Sequence, residues 1–320
     1  MPSPNSTFTA LVSTTFRKHR KEIKDNLSHR NALLKYMMKR GNYRKEDGGL
    51  TIVTPLDYAA NSTYQRYSDF DVLDISQSDV ISAAEYQWRQ IAINVVASGR
   101  ELRINSGDSR IINLAKGRIK NAIRTFNNNF SSDLYSDGSL TNQVNGLQAI
   151  IADTNTNTVG GIDANTWTFW RDQVFSAASL SVTPSATTIE NGLMLPAWLA
   201  TDRGPDDQVD LIVADNNYYS FFESSQVSLK RYNDKSSADA GFVTLKYKNA
   251  DVLFDGNSGI PSNHMYFINT NYLELVVHQD ADLEMVEEMR PVNQDGVVMP
   301  ILWMGNLVCS NRYQQAVIKA

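Results

Sequence analysis

The chain has 320 residues, 42% of them apolar and 20% charged, with a formal net charge of −5. This composition is globular rather than disordered, and a chain of this length buries enough surface to fold without disulfides or metals; the length suits about two domains. The single cysteine, Cys309, excludes an intrachain disulfide; no apolar run is long enough for a bilayer; residues 1–16 lack the charge and apolar core of a leader. A soluble protein from a reducing compartment, without membrane contact, is expected.

Charge is unevenly spread. Residues 1–16 carry none, whereas residues 17–45 hold eleven basic side chains against two acids, a net of +9 that leaves −14 on the rest. Such an arm, with Arg17, Lys18, Arg20, Lys21 and Lys24 at its start, suits a negative target: nucleic acid or the acidic surface of a neighbouring copy. Ile23, Leu27, Leu33, Leu34, Tyr36, Met37 and Met38 equally allow an amphipathic helix with a solvated basic face.

Gly48-Gly49 punctuates the chain before residues 50–56, which have strand composition; residues 85–95 provide the return strand of a long hairpin. The excursion between them is polar yet rich in aromatics. Tyr58, Tyr64, Tyr67 and Phe70 are better explained by contact with another chain than by solvent.

Next, Asn105 or Ser106 can cap a long helix, with Asp108 in its first turn. Ile112, Ala115, Ile119, Ala122, Phe126, Phe130 and Leu134 recur in steps of three and four, and Asp137-Gly138 is the expected stop. Ile112, Ile119, Phe126 and Phe130 are the expected core of this spine, which at about 1.5 Å per residue spans roughly 40 Å.

The middle is mixed. Residues 145–151 begin a short element, 154–161 form a loop, and 167–172 open a helix-like segment. A helix over 188–200 is interrupted by Pro196; residues 208–214 form a buried strand and 216–224 a helix. A polar loop over 234–241 precedes strands at 243–247, 252–254, 265–268 and 273–277, and the tail from 297 supplies two more.

Catalytic patterns are missing from the sequence. It has no Gly-x-Gly-x-x-Gly, phosphate-binding loop or Gly-x-Ser-x-Gly elbow. The four histidines, His19, His29, His264 and His278, lack zinc spacing, and Cys309 between Val308 and Ser310 suits a packed thiol better than a nucleophile. Neighbouring acids such as Asp206-Asp207 point apart and do not build an acid–base pair. No enzyme activity, cofactor or metal is expected.

The order of basic arm, Gly-Gly hairpin, very long helix, α/β middle and terminal strands resembles the major capsid proteins of tailed bacteriophages, with the Hong Kong 97-like fold. The resemblance is carried by Gly48-Gly49, Asn105-Ser106-Gly107, Asp137-Gly138, Asn145-Gly146-Leu147, the run 158–163 followed by Trp170-Arg171, and Asn269-Thr270-Asn271-Tyr272-Leu273. It covers about residues 17–320. Each motif is weak alone, and their order carries the likeness.

The resemblance implies an α+β fold in four parts: an N-terminal arm (1–47), an extended loop or E-loop (48–98), a peripheral domain (99–140 and 268–320) and an axial domain (141–267). It implies hexamers and pentamers forming an icosahedral virion shell around double-stranded DNA without sequence specificity, assembled in the host bacterial cytoplasm. The implied partners are a portal, a separate scaffolding protein, since the chain starts close to the arm, and a decoration protein. Some relatives cross-link an E-loop lysine to a neighbour's asparagine; here no lysine lies between Lys45 and Lys116. The alternative is an encapsulin-like shell around cargo enzymes, which genes for a portal and terminase beside this one would exclude.

Overall fold

A computed structural model describes residues 31–104, 108–226, 245–255, 259–287 and 289–320. Asn31 caps helix α1 (Ala32–Arg40), its side chain accepting the Leu34 amide at 2.8 Å, and Gly41 closes the helix at φ 83°. Leu33, Leu34 and Met37 share one helical face and are fully buried. The chain continues through β1 (Tyr43–Glu46) into an antiparallel ribbon of β2 (Thr51–Asp57) and β3 (Ile81–Gln87). Then come β4 (Arg89–Ser98), α2 (Gly99–Ile104) and the spine helix α3 (Asp108–Asp133).

Ile119, Ala122, Phe126, Phe130 and Leu134 are buried, as the spacing predicts. Phe130 stacks on Phe126 at 5.3 Å and meets Trp303 edge-on at 4.8 Å. Ile112 lies on the helix, but its side chain is outside the described residues, as are Asn105 and Ser106. The helix stops at Asp133, short of Asp137-Gly138.

After α4 (Leu147–Ile150) come a two-residue hairpin, β5 (Thr158–Val159) and β6 (Ile162–Asp163), and then β7 (Gln173–Ser176). The helix-like segment expected at 167–172 is only a 3₁₀ turn, Thr168–Trp170, because the chain must extend at once into β7. The helix expected over 188–200 is a π-helical stretch, Ile189–Met194, running into α5 (Leu195–Thr201). Pro196 stands in the first turn of α5, where a missing amide costs least. β8 (Leu211–Ala214) and α6 (Asn216–Ser225), capped by Asp215, fall where expected. The remaining strands are β9 (Leu245–Tyr247), β10 (Ala250–Phe254), β11 (His264–Ile268), β12 (Leu273–Met285), β13 (Gly296–Cys309) and β14 (Ala316–Lys319). The polar loop at 234–241 lies outside the described residues.

The strands build a four-stranded sheet, ordered β1-β12-β13-β4, and a six-stranded sheet, ordered β7-β14-β11-β8-β10-β9. The six-stranded sheet separates two apolar layers by strand alternation. Leu211 and Val213 of β8, Tyr266 and Ile268 of β11 and Val317 of β14 join α1, α3 and the four-stranded sheet. Ile212, Ala214, Met265, Phe267, Ala316 and Ile318 point the other way, onto α5, α6 and the π-helical stretch.

Pairing redraws the segment boundaries. Helix α1 is part of the main core, and β1 pairs parallel with β12 from Tyr43–Leu275 to Glu46–His278. Residues 31–46 therefore belong to the body rather than to an arm ending at 47. β4 pairs with β13 from Ser98–Gly296 to Arg89–Gly305, so the loop proper ends at Trp88. The last strand leaves the four-stranded sheet that holds β13 and inserts between β7 and β11.

A buried cation ties the middle of the chain to its end. The Arg312 guanidinium donates to the Ile150 carbonyl at 2.7 Å, the Trp170 carbonyl at 3.1 Å, Asn157 Oδ1 at 2.7 Å and Asp172 Oδ1 at 2.8 Å. Burial pushes the Asp172 carboxyl up to about 6, although the Arg312 charge opposes the shift.

Candidate assembly interface

The β2–β3 ribbon carries the extended loop. Its root is anchored: Ile52, Leu56, Ala84 and Tyr86 pack with Val159, Ala164, Trp170, Val276 and Val308. The Glu85 amide donates to the Gly160 carbonyl at 2.9 Å. Gly160 sits at φ 59°, and a Cβ there would meet Ala84 Cβ at 2.8 Å, so glycine lets the small hairpin approach the ribbon. The Tyr86 hydroxyl donates to the Cys309 carbonyl at 2.9 Å, and Trp88 Nε1 donates to the Gly49 carbonyl at 3.1 Å where the strand passes from ribbon to sheet.

Beyond the root, short polar turns shape the loop. Asn61 Oδ1 accepts from the Thr63 amide and hydroxyl, Ser62 and Ser78 join the two sides, and Asp71 and Asp74 accept the amides of Ser68 and Ser76. These bonds leave the apolar side chains outward: Phe70 is 99% exposed, Ile75 94%, Val72 91% and Tyr64 81%. Tyr67, Leu73 and Ile81 are exposed as well.

Of the four aromatics expected to contact a neighbour, Tyr64, Tyr67 and Phe70 are free to do so. Tyr58 differs: it stacks on Phe169 at 5.6 Å and meets Trp167 edge-on at 6.0 Å within its own chain. Val72 and Ile75 were not singled out from sequence, although the apolar–acid pattern of residues 70–75 carried the signal. A second exposed apolar spot, Met289 and Val292, lies between β12 and β13.

Arg17, Lys18, Arg20, Lys21 and Lys24 lie outside the described residues. Further along the basic stretch, charges are used internally. Arg40 pairs with Asp210 at 3.1 Å, Arg44 with Glu46 at 2.6 Å and Glu274 at 3.0 Å, and Lys45 with buried Asp282 at 2.9 Å.

Among the described residues, no group of three His, Cys, Asp or Glu side chains is placed to hold a metal ion. Cys309 is buried, and burial pushes its thiol up to about 12, so it is no nucleophile near neutral pH. Among the described residues, no helix is long and apolar enough to cross a membrane.

Solved structures that match this arrangement include capsid chains. The cyanophage A-1(L) capsid chain superposes with a TM-score of 0.65 at 15% identity, over 88% of this chain and 91% of that one.

The chain has the Hong Kong 97-like fold.

The capsid of the native GTA particle matches this Hong Kong 97-like chain with a TM-score of 0.55 at 12% identity, over 88% of both chains. That of Myoviridae phage XM1 matches at 0.53 and 10%, over 89% and 91%. No family model and no curated protein matches the sequence. The shared architecture therefore rests on fold, at identities where side-chain chemistry has diverged.

Proposed function

We propose that the chain is the major capsid protein of a tailed bacteriophage, self-assembling into an icosahedral shell around double-stranded DNA. The observation that carries this reading is the extended loop. Its anchored root and outward row of Tyr64, Tyr67, Phe70, Val72 and Ile75 on a Hong Kong 97-like body form a surface that needs another chain to cover it. Structures sharing the fold include the capsids of the A-1(L) cyanophage and phage XM1.

On this reading the subunits form hexamers and pentamers, with a portal, a separate scaffolding protein and a decoration protein as partners. Residues 1–30 form the arm, and residues 48–88 lie over a neighbour. The six-stranded sheet with α5 and α6 forms the axial part, and the four-stranded sheet with α3 the peripheral part. Arg17, Lys18, Arg20, Lys21 and Lys24 meet a neighbour or the DNA backbone. Phosphate contacts by such side chains bring affinity without base readout.

Negative-stain microscopy of the chain, expressed alone and together with the products of the genes that neighbour its own, tests the proposal. Closed shells are the expected result. A monodisperse monomer under both conditions would overturn it.

A further inference from the structure

Between the root of the extended loop and the segment that follows the small hairpin lies an open cleft of about 420 Å³. Tyr58, Asp79 and Ile81 line it from the ribbon side, and Asp163, Trp167 and Phe169 from the hairpin side. The three rings pack with centroids 5.6 to 6.1 Å apart, Tyr58 stacked on Phe169 and Trp167 edge-on to both. Trp167 nevertheless remains 49% exposed and Ile81 is exposed as well, so the cleft shows apolar surface to solvent.

Each wall also carries one carboxylate. Asp163 accepts the Asn165 amide at 2.9 Å and the Thr166 hydroxyl at 2.8 Å, which hold it in place and keep its carboxyl below the usual carboxylate range. The Arg171 charge assists, but its guanidinium donates to the carbonyls of Ala164 at 2.8 Å and Asn165 at 3.1 Å. Asp79 is exposed, and among the described residues no ion pair includes it. Among the described residues, no Lys, Arg or His lines the cleft. The loop above it is acidic too: residues 57–79 hold five aspartates and one arginine, a net of −4.

We propose that this cleft binds a free aliphatic polyamine, a linear cation with an ammonium group at each end. Ring faces attract ammonium groups, carboxylates fix them by charge-assisted hydrogen bonds, and the methylenes between them cover apolar surface. One carboxylate on each wall asks for two positive centres on one ligand. A lone lysine side chain supplies one of them. A metal ion uses oxygen ligands and has no use for the rings. A neutral ligand leaves both carboxylates uncompensated. Bound there, the polyamine bridges the ribbon and the hairpin segment and offsets part of the loop's negative charge. The site belongs to the single chain and is independent of shell formation.

Calorimetric titration of spermidine into the unassembled full chain, with tryptophan emission followed in parallel, tests the site. The expected result is one saturable site per chain. Trp167→Phe should keep the binding heat and lose most of the emission change. Trp167→Ala should weaken binding about tenfold, as should Asp79→Asn combined with Asp163→Asn. The new amide oxygen in Asp163→Asn can still accept from Asn165 and Thr166, so the turn is kept. Asp206→Asn, at an exposed carboxylate outside the cleft, should change nothing. Heats that do not saturate, or equal weakening by Asp206→Asn, would mark general charge screening and overturn the proposal. Displacement by magnesium as readily as by putrescine at equal ionic strength would do the same, as would unchanged affinity in the cleft variants. Tighter binding of an acetyl-lysine amide or of a neutral disaccharide would assign the cleft to another ligand and overturn it as well. A chain that forms shells without a saturable spermidine site leaves the capsid reading standing and sinks this one.

Discussion

Replacing Arg312 by Met removes four hydrogen bonds from a site without solvent. The guanidinium holds the carbonyls of Ile150 and Trp170, Asn157 Oδ1 and Asp172 Oδ1, and the Arg312 and Asp172 side chains are both wholly buried. Breaking one side of a buried ion pair costs about 3–5 kcal/mol, and each orphaned buried acceptor adds about 1–3 kcal/mol before relaxation. A loss of about 5 kcal/mol is therefore expected at pH 7.5, close to the lower end of the whole stability of a folded chain.

The loss must depend on pH. Asp172 titrates near 6 in the folded chain, above its ordinary 3.8, because burial penalises the carboxylate. A raised folded value contributes stability that is present below about pH 4 and disappears as the pH rises through 6. Without the Arg312 charge the carboxyl moves higher still, so the variant takes up its proton at a pH where wild type has not. Its deficit should shrink by about 1–3 kcal/mol between pH 7.5 and pH 5. Urea unfolding of the unassembled subunit at both pH values, followed by tryptophan fluorescence, measures this. If Arg312→Met does not fold at pH 7.5, Asp172→Asn gives the milder comparison, its stability losing the pH 4–7 slope attributed to Asp172. A deficit below about 1 kcal/mol, or one equal at both pH values, would refute the reasoning.

Four other outcomes are expected. Phe130→Ala, which empties the site between Phe126 and Trp303, should cost about 3–5 kcal/mol in urea unfolding. Gly146→Ala should cost at least about 3 kcal/mol or abolish folding, because its Cβ would stand 2.2 Å from the Ser136 backbone nitrogen; a soluble variant with the wild-type midpoint would contradict that contact. Phe70→Ala should leave subunit stability within about 0.5 kcal/mol while lowering the heat resistance of shells, as scanning calorimetry of both forms will show. Mature particles boiled in denaturant should run as one monomer band, since residues 46–115 contain no lysine; a ladder would reveal a cross-link of other chemistry.

Local regularity was legible in the sequence. The three-and-four spacing from Ile119 to Leu134 marks the buried face of the spine, and Asp215 before Asn216 marks a helix start. Strand composition located β2, β8, β10 and β11 to within a few residues. Periodicity and capping act between neighbours in the chain, so they leave a local trace. The exposed loop was readable for a related reason: Tyr64, Tyr67 and Phe70 stand among polar residues that no core would accept.

Tertiary structure alone decided what depends on distant partners. Nothing near Tyr43–Glu46 announces a parallel pairing with Leu275–His278, and nothing near Ala316 announces insertion between β7 and β11. The same holds for Leu33, Leu34 and Met37. Their amphipathic face fits an arm on a neighbour as well as a helix in the chain's own core, and only the packing chose the core. Tyr58 looks like its exposed neighbours until Trp167 and Phe169 are folded against it. Arg312 and Asp172 stand 140 positions apart, and each is an ordinary surface charge until burial removes the water from both. Composition sets how much can be buried, whereas the pairing of remote strands and charges sets what is buried against what.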